Sequence, residues 1–200
     1  MKRPTLEIKV ESEIKKAEKG KILFAEDFTE LGNIESVNRV LSRLKEKGIL
    51  VRLAFGIYLY PKIDKELGVL YPSVEDIAQA IARRDKARII PTGITALNKL
   101  GLSTQLPLKA VYITDGAARV VKIGKRTITF KKTSPKNLLA KGEISGLAIQ
   151  ALKSIGKNNV EEELLAKVKS MLKKENKENI MHDAKLAPAW INKILMSTVR

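Results

Sequence analysis

The residues best suited to chemistry in this 200-residue chain lie in one segment with helical periodicity, Ile34 to Lys47. At about 100° per residue, Val37, Val40, Leu41 and Leu44 share one face. Glu35, Arg39, Ser42, Arg43 and Glu46 take the other, flanked by Ser36 and Asn38. Such a set suits a DNA major groove. An arginine guanidinium bridges guanine O6 and N7, and Ser or Asn side chains bond base edges or phosphates. Arg52, in the β-rich run that follows, is placed to meet a backbone phosphate. Ser36, Asn38, Arg39, Ser42, Arg43 and Arg52 are therefore the candidate DNA contacts. Glu35 and Glu46 weigh against this, because carboxylates repel phosphate, and an ordinary solvated helix face has the same composition.

A second constellation is basic. Arg119, Lys122, Lys125, Arg126, Lys131 and Lys132 cluster around an expected hairpin, Val120–Ile123 and Arg126–Phe130, turning at Gly124-Lys125. Strand alternation puts Arg126, Ile128 and Phe130 on one face and Thr127, Thr129 and Lys131 on the other. A half-buried strand with basic ends can hold an acidic protein or a nucleic-acid backbone, and it can equally be a solvated rim.

Signals of catalysis are weak. Gly124-Lys125-Arg126-Thr127 resembles the end of a phosphate-binding loop, but the preceding glycine, Gly116, is too distant and a strand follows where a helix is needed. His182 is the single histidine, and His182-Asp183 reads as a helix start. Glu161-Glu162-Glu163 reads as a helical first turn that complements the helix dipole. There is no Gly-x-Ser-x-Gly elbow and no cysteine, which excludes thiolate chemistry, disulfides and zinc fingers. No enzyme activity, cofactor or metal is expected. Tyr58, Tyr60 and Tyr71 could stack on bases, but are expected to seal a junction between domains.

Several elements must position these residues. Short helices are expected at Ser12–Lys19, capped by Ser12, and at about Glu26–Leu31; the long one at Ile34–Lys47 follows. A hairpin then turns at Phe55-Gly56 and closes at Pro61. This order is that of a winged helix-turn-helix over residues 1–60. Residues 61–72 read as a linker, and 73–200 as a second domain of mixed α and β structure. In that domain Ser73 caps a helix Val74–Arg84, a small sheet follows, and helices return from Ile144 and from Val160. Within the tail, Trp190, Ile191, Ile194 and Leu195 form an apolar stripe. The fold class expected is α+β.

The formal net charge of +16 favours a polyanionic partner. It is uneven: residues 83–136 hold 13 Lys and Arg against 2 Asp and Glu, and lie outside the candidate recognition helix. No apolar run is long enough to span a bilayer, and the basic N-terminus lacks an apolar signal core. A cytoplasmic protein without a membrane partner is expected.

The runs Gly20–Phe28, Val37–Leu44, and Gly48 with Arg52–Tyr58 resemble the opening domain of AbiEi-type antitoxins. Ile90–Ser103 and Val111–Gly116 resemble a related group of uncharacterised bacterial proteins of that architecture. The resemblance covers about residues 10 to 155. It implies a winged helix joined to a mixed α/β domain, repression of the protein's own promoter through double-stranded DNA, and neutralisation of a nucleotidyltransferase-type toxin in abortive infection, in some systems without stable toxin binding. The basic patch is then a candidate for neutralisation. The alternatives are a winged-helix regulator without a toxin, and an RNA-binding protein centred on the basic second domain.

Overall fold

The computed structural model describes residues 4–105 and 107–199. Among these the chain is a mixed α+β protein with eight α-helices and three small sheets. It divides into two compact units. One runs to Arg84 and takes in Lys122–Gly124; the other holds Asp85–Val121 and the chain from Lys125 onward.

In the first unit, helix α1 spans Leu6–Lys16, capped by Thr5, whose Oγ1 accepts from the Ile8 N–H at 3.4 Å. The expected start at Ser12 is corrected: Val10 and Ile14, spaced at i and i+4, are fully buried and draw the helix back to Thr5. Strand β1 (Ile22–Leu23) leads into a single 3-10 turn, Ala25–Phe28, where a helix to Leu31 was expected. Asp27 closes this turn by accepting from the Phe24 N–H at 2.9 Å, and so short a segment cannot repay α-helix nucleation.

Helix α2, Ile34–Glu46, matches its periodicity. Asn33 caps it by accepting from the Ser36 N–H at 2.8 Å. Gly48, at φ 74°, ends it, with the Ile49 N–H donating back to the Leu44 carbonyl at 3.0 Å. Its Val37, Val40, Leu41 and Leu44 enter one core with Val10, Ile14, Phe28, Leu50 and Tyr58. Strands β2 (Val51–Ala54) and β3 (Ile57–Leu59) form the hairpin, and the sheet order is β1-β3-β2, antiparallel throughout.

The expected linker is instead a hairpin, β4 (Lys62–Asp64) with β5 (Gly68–Leu70). Asp64 shapes its turn by accepting from the Glu66 and Leu67 N–H groups at 2.9 and 3.0 Å. Those bonds hold the Asp64 carboxyl below its ordinary value against a smaller effect of burial. Helix α3 follows at Val74–Arg84, as read, with Ser73 and Asp76 in reciprocal N-terminal bonds of 3.0 Å. It groups with the first unit, so the expected boundary at residue 73 moves to 84. Arg84 lies 4.7 Å from the Phe24 ring centre, one of the contacts that tie it there.

Strands β6 (Ile89–Pro91), β7 (Lys109–Thr114), β8 (Arg119–Ile123) and β9 (Arg126–Lys132) build a sheet of order β6-β7-β9-β8, with helix α4 (Gly93–Lys99) between β6 and β7 in the chain; all of these residues but Lys122 and Ile123 belong to the second unit. Strands β7 and β9 run parallel, pairing Tyr112 with Phe130, and those rings stack with centres 6.0 Å apart. Helices α5 (Glu143–Ile155), α6 (Glu162–Leu172), α7 (Lys177–Ala184) and α8 (Ala189–Met196) form the rest. Ala148, Leu152, Leu172, Ile180, Ile191 and Leu195 are the centre of their core.

Trp190 and Ile194 are half-buried against that core. Trp190 fluorescence should therefore be blue-shifted from that of free tryptophan and poorly quenched by iodide. Full quenching would contradict this packing.

Candidate nucleic-acid interface

The exposed face of α2 carries the expected set in graded fashion. Arg39 and Arg43 are exposed, while Ser36, Asn38 and Ser42 are half-buried. Glu35 stands in the first turn, where it suits the helix dipole. Arg43 is not alone: its Nε lies 3.4 Å from Glu7 of α1, which also accepts from Lys47 at 2.5 Å. The Lys47 hydrogen bond, opposed in part by burial and helped by the charges of Lys47 and Arg43, holds the Glu7 carboxyl below its ordinary value. Arg43 thus shares its charge with α1, and Arg39 is the exposed cation of this face nearest its centre. The sequence reading missed Glu7, because the contact spans 36 residues and no periodicity signals it.

Arg52 is exposed on β2. The hairpin register shifts between Arg52 and Ala54, and the Arg52 Nε donates to the Ala54 carbonyl at 3.3 Å. This folds the guanidinium over Phe55, 5.2 Å from the ring centre, and Phe55 stands exposed at the turn. Gly56 makes that turn with φ 70°.

The three tyrosines do not act together. Tyr58 is buried in the first unit's core, Tyr60 packs against it, and Tyr71 is exposed. The expectation that they seal a junction is corrected: alternation along β3 sends Tyr58 into its own unit's core. Near Tyr71 a cleft of about 590 Å³ opens, lined among others by Lys21, Lys62, Arg83 and Arg84, with Asp27 and Asp76. Both of those carboxylates already accept backbone N–H bonds, from Phe24 and Ser73. Sequence reading did not bring these cations together, since they come from three segments: the residue before β1, β4 and the end of α3.

Of the basic patch, Lys122, Lys125, Arg126, Lys131 and Lys132 are exposed. Arg119 is different. Its guanidinium is bonded to the Asp85 carboxylate and lies 6.0 Å from the Phe130 ring centre, so it is half-buried structure and not an open member of the patch. The other acid of the segment, Asp115, accepts from the Arg88 N–H at 2.7 Å and from its Nε at 2.9 Å, the first being the main reason its carboxyl is held below the ordinary value. Gly124, at φ 57°, is a hairpin turn residue and no phosphate loop.

His182 and Asp183 lie in the last turns of α7, not at a helix start. The buried Asp183 carboxylate accepts from the Lys141 N–H (2.8 Å), the Gly142 N–H (3.0 Å) and Ser145 Oγ (2.6 Å), and its Oδ1 lies 2.8 Å from His182 Nδ1. Glu175 accepts from the Ile144 N–H at 2.9 Å. These carboxylates cap α5 from a distance, where the helix dipole favours negative charge. A Cβ at Gly142 would collide with Ser145 Oγ and Glu175 Oε2, so the close approach requires glycine. Ser145 and His182 both bond the aspartate and not each other, which is no arrangement for activating a serine. Burial works to raise the Asp183 carboxyl, but the four hydrogen bonds outweigh it and hold the group below its ordinary value.

Among the described residues no group of three or more His, Asp or Glu could hold a metal ion, and no helix is long and apolar enough to cross a membrane.

No curated protein matches the chain. Among solved structures, it is similar to the crystal structure of RV2827C protein from Mycobacterium tuberculosis, at TM-score 0.50 and 13% identity, over 98% of this chain and 82% of that one. That likeness is one of fold alone. A family model described as a family of unknown function, DUF6088, matches residues 9–180, and the chain therefore belongs to that family.

Proposed function

We propose that the first unit is a winged helix-turn-helix that binds double-stranded DNA, with α2 in the major groove and the β2–β3 hairpin as the wing. The observation that carries this reading is the pairing of an exposed, capped helix bearing Arg39 with a protruding hairpin bearing Arg52, on a sheet of order β1-β3-β2. Together they present donors for base edges and for phosphate from one small core. The chain then acts as a regulator of its own promoter. Its role as antitoxin against a nucleotidyltransferase-type toxin rests on the resemblance to AbiEi-type proteins, with the exposed lysines and Arg126 of the β8–β9 hairpin as the neutralising surface. The reading assigns no enzymatic step, and a cytoplasmic location goes with it.

Gel shifts on the promoter of the chain's own gene, at several salt concentrations, test the DNA reading. Arg39→Ala should relax sequence preference and cost roughly 1–3 kcal/mol. Arg52→Ala should weaken all sequences alike and flatten the salt slope by about one unit. Arg43→Ala should cost less than Arg39→Ala, because Glu7 already holds part of its charge. If Arg39→Ala and Arg43→Ala leave affinity and preference intact with an unchanged circular dichroism spectrum, α2 does not read DNA. Promoter binding that then depends on Lys125 and Arg126 would mean that the basic hairpin holds DNA non-specifically through its phosphates.

A further inference from the structure

Hairpin turns are usually built from Asn, Asp and Gly, which serve the backbone and like water. Here the tip of the β2–β3 hairpin is a phenylalanine, a residue 91% exposed. It is held out by two devices. The last strand pair, Ala54 with Ile57, brings the backbone to its turn directly beneath Phe55, and Gly56 supplies the left-handed φ of 70°. The register shift after Arg52 lets that side chain turn forward, bond the Ala54 carbonyl at 3.3 Å, and lay its guanidinium 5.2 Å from the ring centre. The tip is thus an apolar blade with a cation on its flank. No Asp or Glu occurs between Lys47 and Ile63, so nothing acidic in this stretch would repel a phosphate backbone.

Resting on the winged-helix reading above, we propose that Phe55 is a wedge for the DNA minor groove: its ring enters between two stacked base pairs and kinks the duplex, while Arg52 holds the adjoining phosphate. A single protruding ring is far short of the roughly 1,000 Å² that a stable protein partner needs, whereas a Phe side chain is among the wedges that minor-groove binders insert between base steps. The cation beside the ring draws it to phosphate, and the flat ring replaces the stacking that the opened step loses. Flexible pyrimidine–purine steps, TA or CA, are the sites where the opening is cheapest.

The test uses the full chain and a duplex obtained by in vitro selection from a random pool. That duplex carries 2-aminopurine at successive positions, or a donor and acceptor dye at its ends. The wild-type chain should raise 2-aminopurine fluorescence at least twofold at one step and shorten the end-to-end distance. Phe55→Ala should abolish both effects and weaken binding about tenfold, and Phe55→Leu should restore most of each. The side chain is exposed, so the circular dichroism spectrum and melting temperature should not change. Two results overturn the proposal in distinguishable ways. If selection yields no bound duplex, the winged-helix reading fails and the wedge with it. If the duplex binds but Phe55→Ala bends and unstacks it as the wild type does, only the wedge fails.

Discussion

Asp183→Ala should lower the stability of the second unit by about 3–5 kcal/mol, a large part of what a domain of ordinary stability has to lose. The substitution strands the N–H groups of Lys141 and Gly142 and the Ser145 hydroxyl, all at the start of α5, where Gly142 and Ser145 are buried. An unpaired buried donor costs about 1–3 kcal/mol, and the lost charge also faced the positive end of the helix dipole. Urea denaturation followed through Trp190, which packs on the same core, reads the loss directly. Asp183→Asn should cost less but should not be neutral. Its amide offers one acceptor atom where two are used, and whichever way it turns, one backbone N–H meets an NH₂ group. Ser145 and His182 can reverse their roles as donor and acceptor; the backbone cannot.

The pH dependence of that stability follows from the sign of the shift. The folded Asp183 carboxyl sits below its ordinary value of 3.8, so its contribution is complete above the unfolded value. It is lost as pH falls from there through the folded value. Asp183→Asn should therefore be least harmful in acid and most harmful near neutrality. A difference between wild type and Asp183→Asn that is constant from pH 7 down to pH 3 would contradict this account.

Replacing Lys122, Lys125 and Arg126 together by Glu should abolish protection in cells that co-express the cognate toxin, if the hairpin surface neutralises it. All three side chains are exposed at the turn end of β8 and β9, so the fold should tolerate the change. Arg119 must be left in place, because reversing it would set a second carboxylate against Asp85. The same triple variant decides what the charge is for. If the hairpin lies outside the DNA footprint, promoter affinity should hardly move and the salt slope should be retained. If it lies within the footprint, each lost phosphate contact removes about 0.9 from the slope, and three would remove nearly three units. Unchanged protection would dismiss the hairpin as the neutralising surface.

Much of the local structure was legible in the residues. Helix α2 was read to within a residue, since Val37, Val40, Leu41 and Leu44 can lie on one face only if the segment is helical. Helix α3 carries its own start signal in Ser73 and Asp76, and both main hairpins announce their turns with Gly56 and Gly124. The errors have physical causes. Ser12 is a good cap in isolation, but helix α1 begins before it because Val10 and Ile14 are buried, and their burial depends on α2 being beside them. The β4–β5 hairpin looks like a linker in the sequence because its turn is stabilised by Asp64 reaching forward to Glu66 and Leu67, a bond that composition does not display. His182-Asp183 has the composition of a helix start, because Asp favours caps. Asp183 does cap a helix, but it is α5, 41 residues away from the Gly142 it bonds.

By itself, then, the sequence determined the α+β class, the places of α2, α3 and the two main hairpins, the excess of positive charge and which side chains of α2 face outward. Each of these follows from interactions between residues a few positions apart, where periodicity and capping operate. Tertiary structure alone decided which cations remain open to a partner. It tied Arg119 to Asp85 and drew Arg43 toward Glu7, while leaving Arg39, Lys125 and Arg126 exposed. Ion pairing depends on distance in space and falls steeply with separation in water, and separation along the chain carries no information about it.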